Sequence, residues 1–440
     1  MKSVQVTGIA ENIQEALRPV LRGPLPVRLH AWDGSVAGDP HGPQVRLHGP
    51  EALRRLLWHP GELGAAQAYV AGDLELTAPI ADVLQHVRSV GAQRGLAERR
   101  PGVRDMATAL RGVLTVDGIL GRRPTDPAGQ IKVAGKLHSR SRDRDVIHGH
   151  YDVDSDFYEL ILDEQMAYSC AYVTSGDLAS TETAGYTLDD AQRDKLDLVC
   201  RKIGLDQRSG MRLLDVGCGW GSLSLHAAER YGATVTGVTI STEQKAFIDK
   251  RIHARGLQDR VSIELRDYRD VTGRYDAVAS LEMGEHAGDK GYPDYARVLH
   301  DAATDDARIL IQQMSRRGRH PGGGPFIEAF IAPDMTMRPV GDTVELLEQA
   351  DLEVRDVHGL REHYVWTVRA WQRRFDQHRH EIERLVPPET LRVWELYLAG
   401  GRLAFEEGRM GVDQIVAVRR RQGPSTLPPV RPATWSDPRG

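Results

Sequence analysis

The run Leu213-Leu214-Asp215-Val216-Gly217-Cys218-Gly219-Trp220-Gly221 constrains this chain more than any other stretch. An apolar segment of strand length enters a turn with glycine at alternate positions, and Ser222 to Tyr231 beyond it reads as a helix. A strand that feeds a glycine turn and then a helix is the ligand-binding corner of a doubly wound α/β fold, where ligands sit at the carboxyl ends of the strands. Glycines there let the backbone approach a ligand with no β-carbon in the way. The GxGxG spacing after Asp215 differs from the GxGxxG dinucleotide fingerprint. No Gly-Lys-Ser/Thr follows, which excludes a phosphate-cradling P-loop.

The pattern continues in alternation. Strands are predicted over Thr234–Val238, Val261–Leu265, Tyr275–Ser280 and Ala307–Gln312, with a helix over Thr242–Arg255. Strands separated by helices predict a parallel sheet covered on both faces. At 440 residues the chain exceeds one compact core, so further domains are expected. Residues 1–90 read as a small α+β docking domain, with a strand over Pro26–Trp32, a turn at Asp33-Gly34-Ser35, a strand over Gln44–Leu47 and a helix over Glu51–Leu57. Residues 91–145 read as a basic linker, residues 146–421 as the catalytic domain, and the proline-rich residues 422–440 as a disordered tail. Within the linker, Met106, Leu110, Val113, Leu114 and Leu120 sit near helical spacing among arginines. They fit either an interfacial amphipathic helix or one packed on the core. Arg99-Arg100, Arg122-Arg123 and Arg140/Arg142/Arg144 form a basic strip that either attracts anionic headgroups or is simply solvated.

Composition narrows the function. A net charge of −5 gives no reason to expect nucleic acid. No apolar run reaches the length of a membrane span, and Met1 to Ala10 lacks the pattern of a secretory signal. The three cysteines, Cys170, Cys200 and Cys218, make no metal-ligand pattern and suggest a reducing, cytoplasmic setting.

The predicted strand ends carry the chemistry. Thr239 and Gln244 follow the second strand, placed to hydrogen-bond a ribose or an amino-acid group. Asp267-Tyr268-Arg269 follows the third; a carboxylate there accepts from an adenine amino group, and an aromatic face packs on the ring. Leu281-Glu282-Met283-Gly284-Glu285-His286 follows the fourth, and buried carboxylates at that position call for a functional explanation.

With those residues in place, the chain resembles the cyclopropane-fatty-acyl-phospholipid synthase family and its mycolic acid cyclopropane synthase relatives. The resemblance rests on His150-Tyr151-Asp152, Phe157-Tyr158, Leu162-Asp163, Met166–Tyr172, Leu188–Lys195, Leu214–Gly221, Gly237–Gln244, Asp267–Asp270, Glu285-His286, His363-Tyr364 and Trp371. It extends to Trp32–Ser35 and Ala68–Glu75 near the start of the chain, as in the full-length bacterial enzymes. The family implies a class I S-adenosylmethionine (SAM) methyltransferase, a Rossmann-like sheet with helical additions. It implies methyl transfer to the cis double bond of a phospholipid acyl chain at the inner membrane surface, through a carbocation that closes to a cyclopropane. Tyr168, Ser169, Asp215, Gly217, Gly219, Thr239, Gln244, Tyr268 and Arg269 are implied SAM contacts. Cys170 through its amide, Glu285 and Tyr364 are implied to hold a bicarbonate ion that takes the proton, with His286 beside them. Family members are often dimers, so a homodimer is the oligomer to test.

One position departs from the family. Where a Leu-Leu-His-Thr-Ile stretch is usual, Leu310 to Met314 reads LIQQM, with Gln312 in place of the histidine. Glutamine can donate to an anion but cannot titrate. Ring formation is the first expectation. The alternatives are a hydride shift before proton loss, giving a methylene branch for a partner reductase, and methylation of a small-molecule alkene.

Overall fold

The computed structural model describes residues 8–96, 98, 101–143, 155–174, 185–318, 322–423, 425 and 427–436. Arg99, Arg100, Arg144 and His150-Tyr151-Asp152 lie outside the described residues. The chain forms two compact units: Met1–Gln130 with Val386–Leu403, and Ile131–Leu385 with Ala404–Gly440.

The first unit contains helices α1 (Ile9–Leu21), α2 (Glu51–Trp58), α3 (Glu62–Val70), α4 (Ile80–Gln93) and α5 (Val103–Leu114). Its sheet comprises β1 (Arg28–His30), β2 (Val36–Gly38), β3 (Gln44–Leu47) and β4 (Leu74–Leu76), in the order β2-β1-β3-β4. The predicted turn at Asp33-Gly34-Ser35 has a second use. Asp33 accepts from the Ile9 amide and Ser35 from the Ala10 amide, both at 2.9 Å, so the turn satisfies two free N–H groups at the start of α1. Ile13, Leu29, Val45, Leu53 and Val113 share the core of this unit.

The second unit is built on a seven-stranded sheet. Its elements in chain order are α6 (Ser155–Ile161), α7 (Leu188–Lys202), β5 (Arg212–Val216), α8 (Ser222–Tyr231), β6 (Thr234–Thr239), α9 (Thr242–Ala254), β7 (Val261–Leu265) and β8 (Tyr275–Leu281). There follow α10 (Gly288–Ala302), β9 (Ala303–Arg316), α11 (Pro325–Phe330), α12 (Val340–Gln349), β10 (Leu352–Gly359), α13 (Arg361–Gln377), α14 (Arg379–Leu385), α15 (Pro388–Glu406) and β11 (Met410–Arg419). Only the last few residues of α15 belong to this unit. The sheet order is β10-β11-β9-β8-β5-β6-β7. Beginning at β5, the chain runs outward through β6 and β7, then returns to β8 on the other side of β5. That reversal opens a crevice at the carboxyl ends of β5 and β8, the switch point where doubly wound sheets bind ligands. Leu213, Leu214 and Val216 of β5 are fully buried, as continuous apolar strands covered on both faces must be.

The sequence expectations need three corrections. The sheet is not wholly parallel: β11 runs antiparallel to both β9 and β10, and neither β10 nor β11 was anticipated. The linker does not exist as one segment. Residues to Gln130 belong to the first unit, where Val113, Val116 and Ile119 are buried with α1, and residues from Ile131 belong to the second. Arg140 and Arg142 are not simply solvated, because each forms a two-pronged pair, with Asp270 and Asp334 respectively. Lastly, the described part of the tail is packed. Leu427 and Trp435 are buried, and the Tyr172 hydroxyl donates to the Ser436 carbonyl at 2.6 Å. Two apolar anchors outweigh the local polar composition.

Candidate active site

A cavity of about 1270 Å3, including its open mouth, lies over the carboxyl ends of β5, β6 and β8 within the second unit. The glycine turn forms its floor. Gly217 has φ +74°, and a β-carbon there would come within 2.6 Å of Met283 Cγ, so the backbone passes where no side chain fits. The buried Asp215 carboxylate faces the cavity, fixed by the Ser224 hydroxyl at 2.7 Å; burial raises it to about 6. Thr239 donates to Gln244 Oε1 at 2.7 Å, which locks the two cavity-lining residues together at the end of β6. Beyond β7, Arg269 grips Asp267 through two hydrogen bonds at 2.7 and 2.6 Å and also reaches Asp143 at 2.8 Å. Burial tends to raise Asp267, but the bonds from Arg269 prevail and hold it below the usual carboxylate range. Arg269 also lies over the Tyr268 ring. Tyr168, Ser169, Gly219 and His286 complete the lining among the predicted residues. A close glycine floor, a buried carboxylate, a polar pair and a held carboxylate beside an aromatic ring fit a nucleoside that carries an amino-acid group, the shape of SAM.

A second cluster adjoins this cavity. Glu282, at the end of β8, lines it and is partly accessible. Its carboxylate takes three donors: the Cys170 amide at 2.8 Å, Gln312 Nε2 at 2.8 Å and the Tyr364 hydroxyl at 2.7 Å. Its backbone is left-handed, with φ +52°, an uncommon conformation for a non-glycine residue and one that functional sites often retain. Gln312 is aimed in turn, since its Oε1 accepts from Gln414 Nε2 of β11 at 2.9 Å, leaving its NH2 for Glu282. Burial raises the Glu282 carboxyl above its ordinary value, and the three donors work against that rise. Below lies Lys195, fully buried, its ammonium on the Ser169 hydroxyl at 2.8 Å and electrostatically coupled to Asp163, Glu282 and Asp215. Tyr158, Tyr168, Trp220, Trp371 and Tyr364 form a linked aromatic wall, with ring centroids 5.3 to 6.0 Å apart along Tyr158–Trp220, Tyr158–Tyr168, Tyr168–Trp371 and Tyr364–Trp371.

The predicted anion-holding group is therefore divided. The Cys170 amide and the Tyr364 hydroxyl converge, but on Glu282 rather than on a space shared with Glu285. Glu285 is fully buried behind the cavity and accepts from the Met314 amide at 2.5 Å. Burial and the neighbouring charge of Glu282 push its carboxyl up to about 8, so near neutral pH it holds its proton. The Cys170 thiol is buried and raised well above its ordinary value, so it is no nucleophile. Lys195 and Gln414 were missed as site residues. Lys195 lay within a segment that carried the resemblance, whereas nothing local marks Gln414.

The order of this sheet and the glycine corner under its cavity define a class I SAM-dependent methyltransferase. The chain belongs to the mycolic acid cyclopropane synthetase family, whose model matches residues 138–415. It is 34% identical to a probable fatty acid methyltransferase of Pseudomonas putida, over 90% of this chain and 92% of that one. It is 30% identical to the cyclopropane-fatty-acyl-phospholipid synthase of Escherichia coli, over 88% and 90%. Among solved structures it resembles mycolic acid cyclopropane synthase CmaA1 complexed with SAH and CTAB, with TM-score 0.57 and 27% identity over 63% of this chain and 98% of that one. The protein is thus a SAM-dependent methyltransferase of a lipid-modifying family. Among the described residues no helix is long and apolar enough to cross a membrane.

Proposed function

We propose that the protein methylates the cis double bond of an unsaturated lipid acyl chain and that Glu282 takes up the proton released. The observation that carries this reading is a carboxylate on the cavity wall, held by Cys170, Gln312 and Tyr364. SAM would supply an electrophilic methyl group: the π electrons of the alkene form the new C–C bond, the S–CH3 bond breaks with its electrons left on the sulfur of S-adenosylhomocysteine, and a cation remains on the neighbouring alkene carbon. The aromatic wall steadies that cation through its ring faces. Glu282 then accepts a proton from the added methyl, and the electrons of that C–H bond quench the cation. Because Glu282 takes the donors that bicarbonate was expected to use, the reaction runs without that ion.

Two products satisfy this chemistry. Direct proton loss closes a cyclopropane; a hydride shift first, then proton loss, gives a methylene branch. We favour the branch, with a reductase to follow. The likeness to a fatty acid methyltransferase spans nine-tenths of the chain, and Gln312 stands where the ring-forming family carries histidine. The test is mass spectrometry with NMR of lipids from a mono-unsaturated host expressing the chain alone. Exocyclic methylene protons support the branch; cyclopropane protons refute it and keep the methyl transfer; no gain in mass refutes both.

A further inference from the structure

Helix α5 seats one face firmly and leaves another bare. Ala109 and Val113 are buried, and a β-carbon on Gly112 would come within 2.5 Å of Ala16 Cβ, so α5 meets α1 at backbone distance. On the adjacent side Val103, Met106, Leu110 and Leu114 fall on one line at helical spacing. Their exposures are 88, 50, 50 and 40%, and Leu120 just beyond is 76% exposed. Five of the thirteen large exposed apolar side chains among the described residues thus lie within 103–120. Single exposed apolar residues are ordinary, but a concentrated stripe marks a contact surface. Arg104 and Arg111, seven positions apart and both exposed, share the flank of the stripe away from the buried face. Arg122 is exposed further along. Apolar line, basic flank and seated inner face together make a helix that lies in a bilayer surface rather than crossing it.

We propose that α5 docks the protein on a bilayer bearing anionic headgroups, with Val103, Met106, Leu110 and Leu114 among the acyl chains and Arg104 and Arg111 at the phosphates. This rests on the proposed function, in which the substrate is a bilayer acyl chain. The arginine flank favours a lipid surface over a second copy of this chain, which carries a net charge of only −5. The stripe is set by residues that α1 does not hold, so polar substitutions on it leave the seat intact.

The test is co-sedimentation of the full chain with phosphatidylglycerol or phosphatidylcholine vesicles, without SAM. The variants are a triple, Met106→Ser with Leu110→Ser and Leu114→Ser, and a double, Arg104→Gln with Arg111→Gln. Wild type is expected on phosphatidylglycerol vesicles. The double variant should lose about fivefold in partitioning per arginine. The triple should lose binding to phosphatidylglycerol vesicles while keeping SAM-induced thermal stabilisation. A triple variant that sediments like wild type overturns the proposal. So does a wild-type dimer that ignores vesicles and becomes monomeric in the triple variant, which would make the stripe a contact between copies. Turnover on detergent-dispersed unsaturated lipid separates the two claims. Variants that keep it while losing vesicles support docking. Vesicle binding that depends on the stripe, in a wild type with no turnover on either form of lipid, supports docking and refutes the methyl transfer.

Discussion

Replacing Glu282 by glutamine isolates the proton-accepting role from the geometry around it. Glutamine is nearly isosteric. Its carbonyl can face the Cys170 amide and the Gln312 NH2, which both reach Oε1 at 2.8 Å, and its own NH2 then meets the Tyr364 hydroxyl, which can accept as well as donate. The cluster therefore survives, and so does the SAM floor, which lies on β5 and β6. What disappears is a group able to take a proton. A positioned base contributes roughly 10²- to 10⁴-fold, or about 3–5 kcal/mol of barrier. The assay is turnover of a detergent-dispersed mono-unsaturated lipid by mass spectrometry, with SAM-induced thermal stabilisation measured in parallel. Glu282→Gln should lose at least about a hundredfold in turnover with its stabilisation intact. Glu285→Gln should stay within about threefold of wild type, because a carboxyl raised to about 8 is already neutral at pH 7. Turnover above a tenth of wild type in Glu282→Gln, or a dead Glu285→Gln that still binds SAM, would refute the reasoning.

Other outcomes follow from the same geometry. The folded-state pKa of Glu285 lies above its unfolded value of 4.5, so the fold binds more protons between about 4.5 and 8, and this residue's contribution to stability is lost as pH rises through that window. Urea midpoints at pH 5.5 and 8 should therefore differ less in Glu285→Gln than in wild type, and an unchanged difference would discount the shift. Gly217→Val should abolish SAM-induced stabilisation, since its side chain meets Met283 and its backbone is left-handed; normal affinity would mean the cavity floor is misassigned. Gln414→Leu removes the donor that aims Gln312 and leaves a buried carbonyl unpaired. It should cost about 1–3 kcal/mol in chemical denaturation and lower turnover with SAM binding unchanged. A variant as stable and active as wild type would show that Gln312 needs no such support.

The readable parts of this protein are the local ones. The glycine corner, the individual strands of the parallel part of the sheet and the turn at Asp33-Gly34-Ser35 are each marked by residues a few positions apart, and a local pattern exposes them; the use of that turn to cap α1, 24 positions away, is not marked locally. Glu282 was visible as a carboxylate, but its role depends on Cys170 and Tyr364, which lie 112 and 82 positions away. Glu285 matched the family pattern by position. The left-handed turn at Glu282 decides which of the two carboxylates reaches the cavity wall, and no pattern in sequence encodes that angle. The partners of Arg140 and Arg142 were hidden for the same reason, since Asp270 and Asp334 are 130 and 192 positions from the residues they bind.

Strand β11 carries a consequence for how the protein is made. Every residue lining the SAM cavity lies at or before Asp334, so a ribosome has finished that wall about eighty residues before it reaches Gln414. With Gln414 comes the partner that covers β9 from Met410↔Arg316 to Val418↔Arg308. Until then β9 is an open edge of buried apolar residues, a template for wrong pairing. Cofactor binding can therefore precede catalytic competence during synthesis, and β11, when it emerges, both closes the edge and aims the glutamine that holds the base.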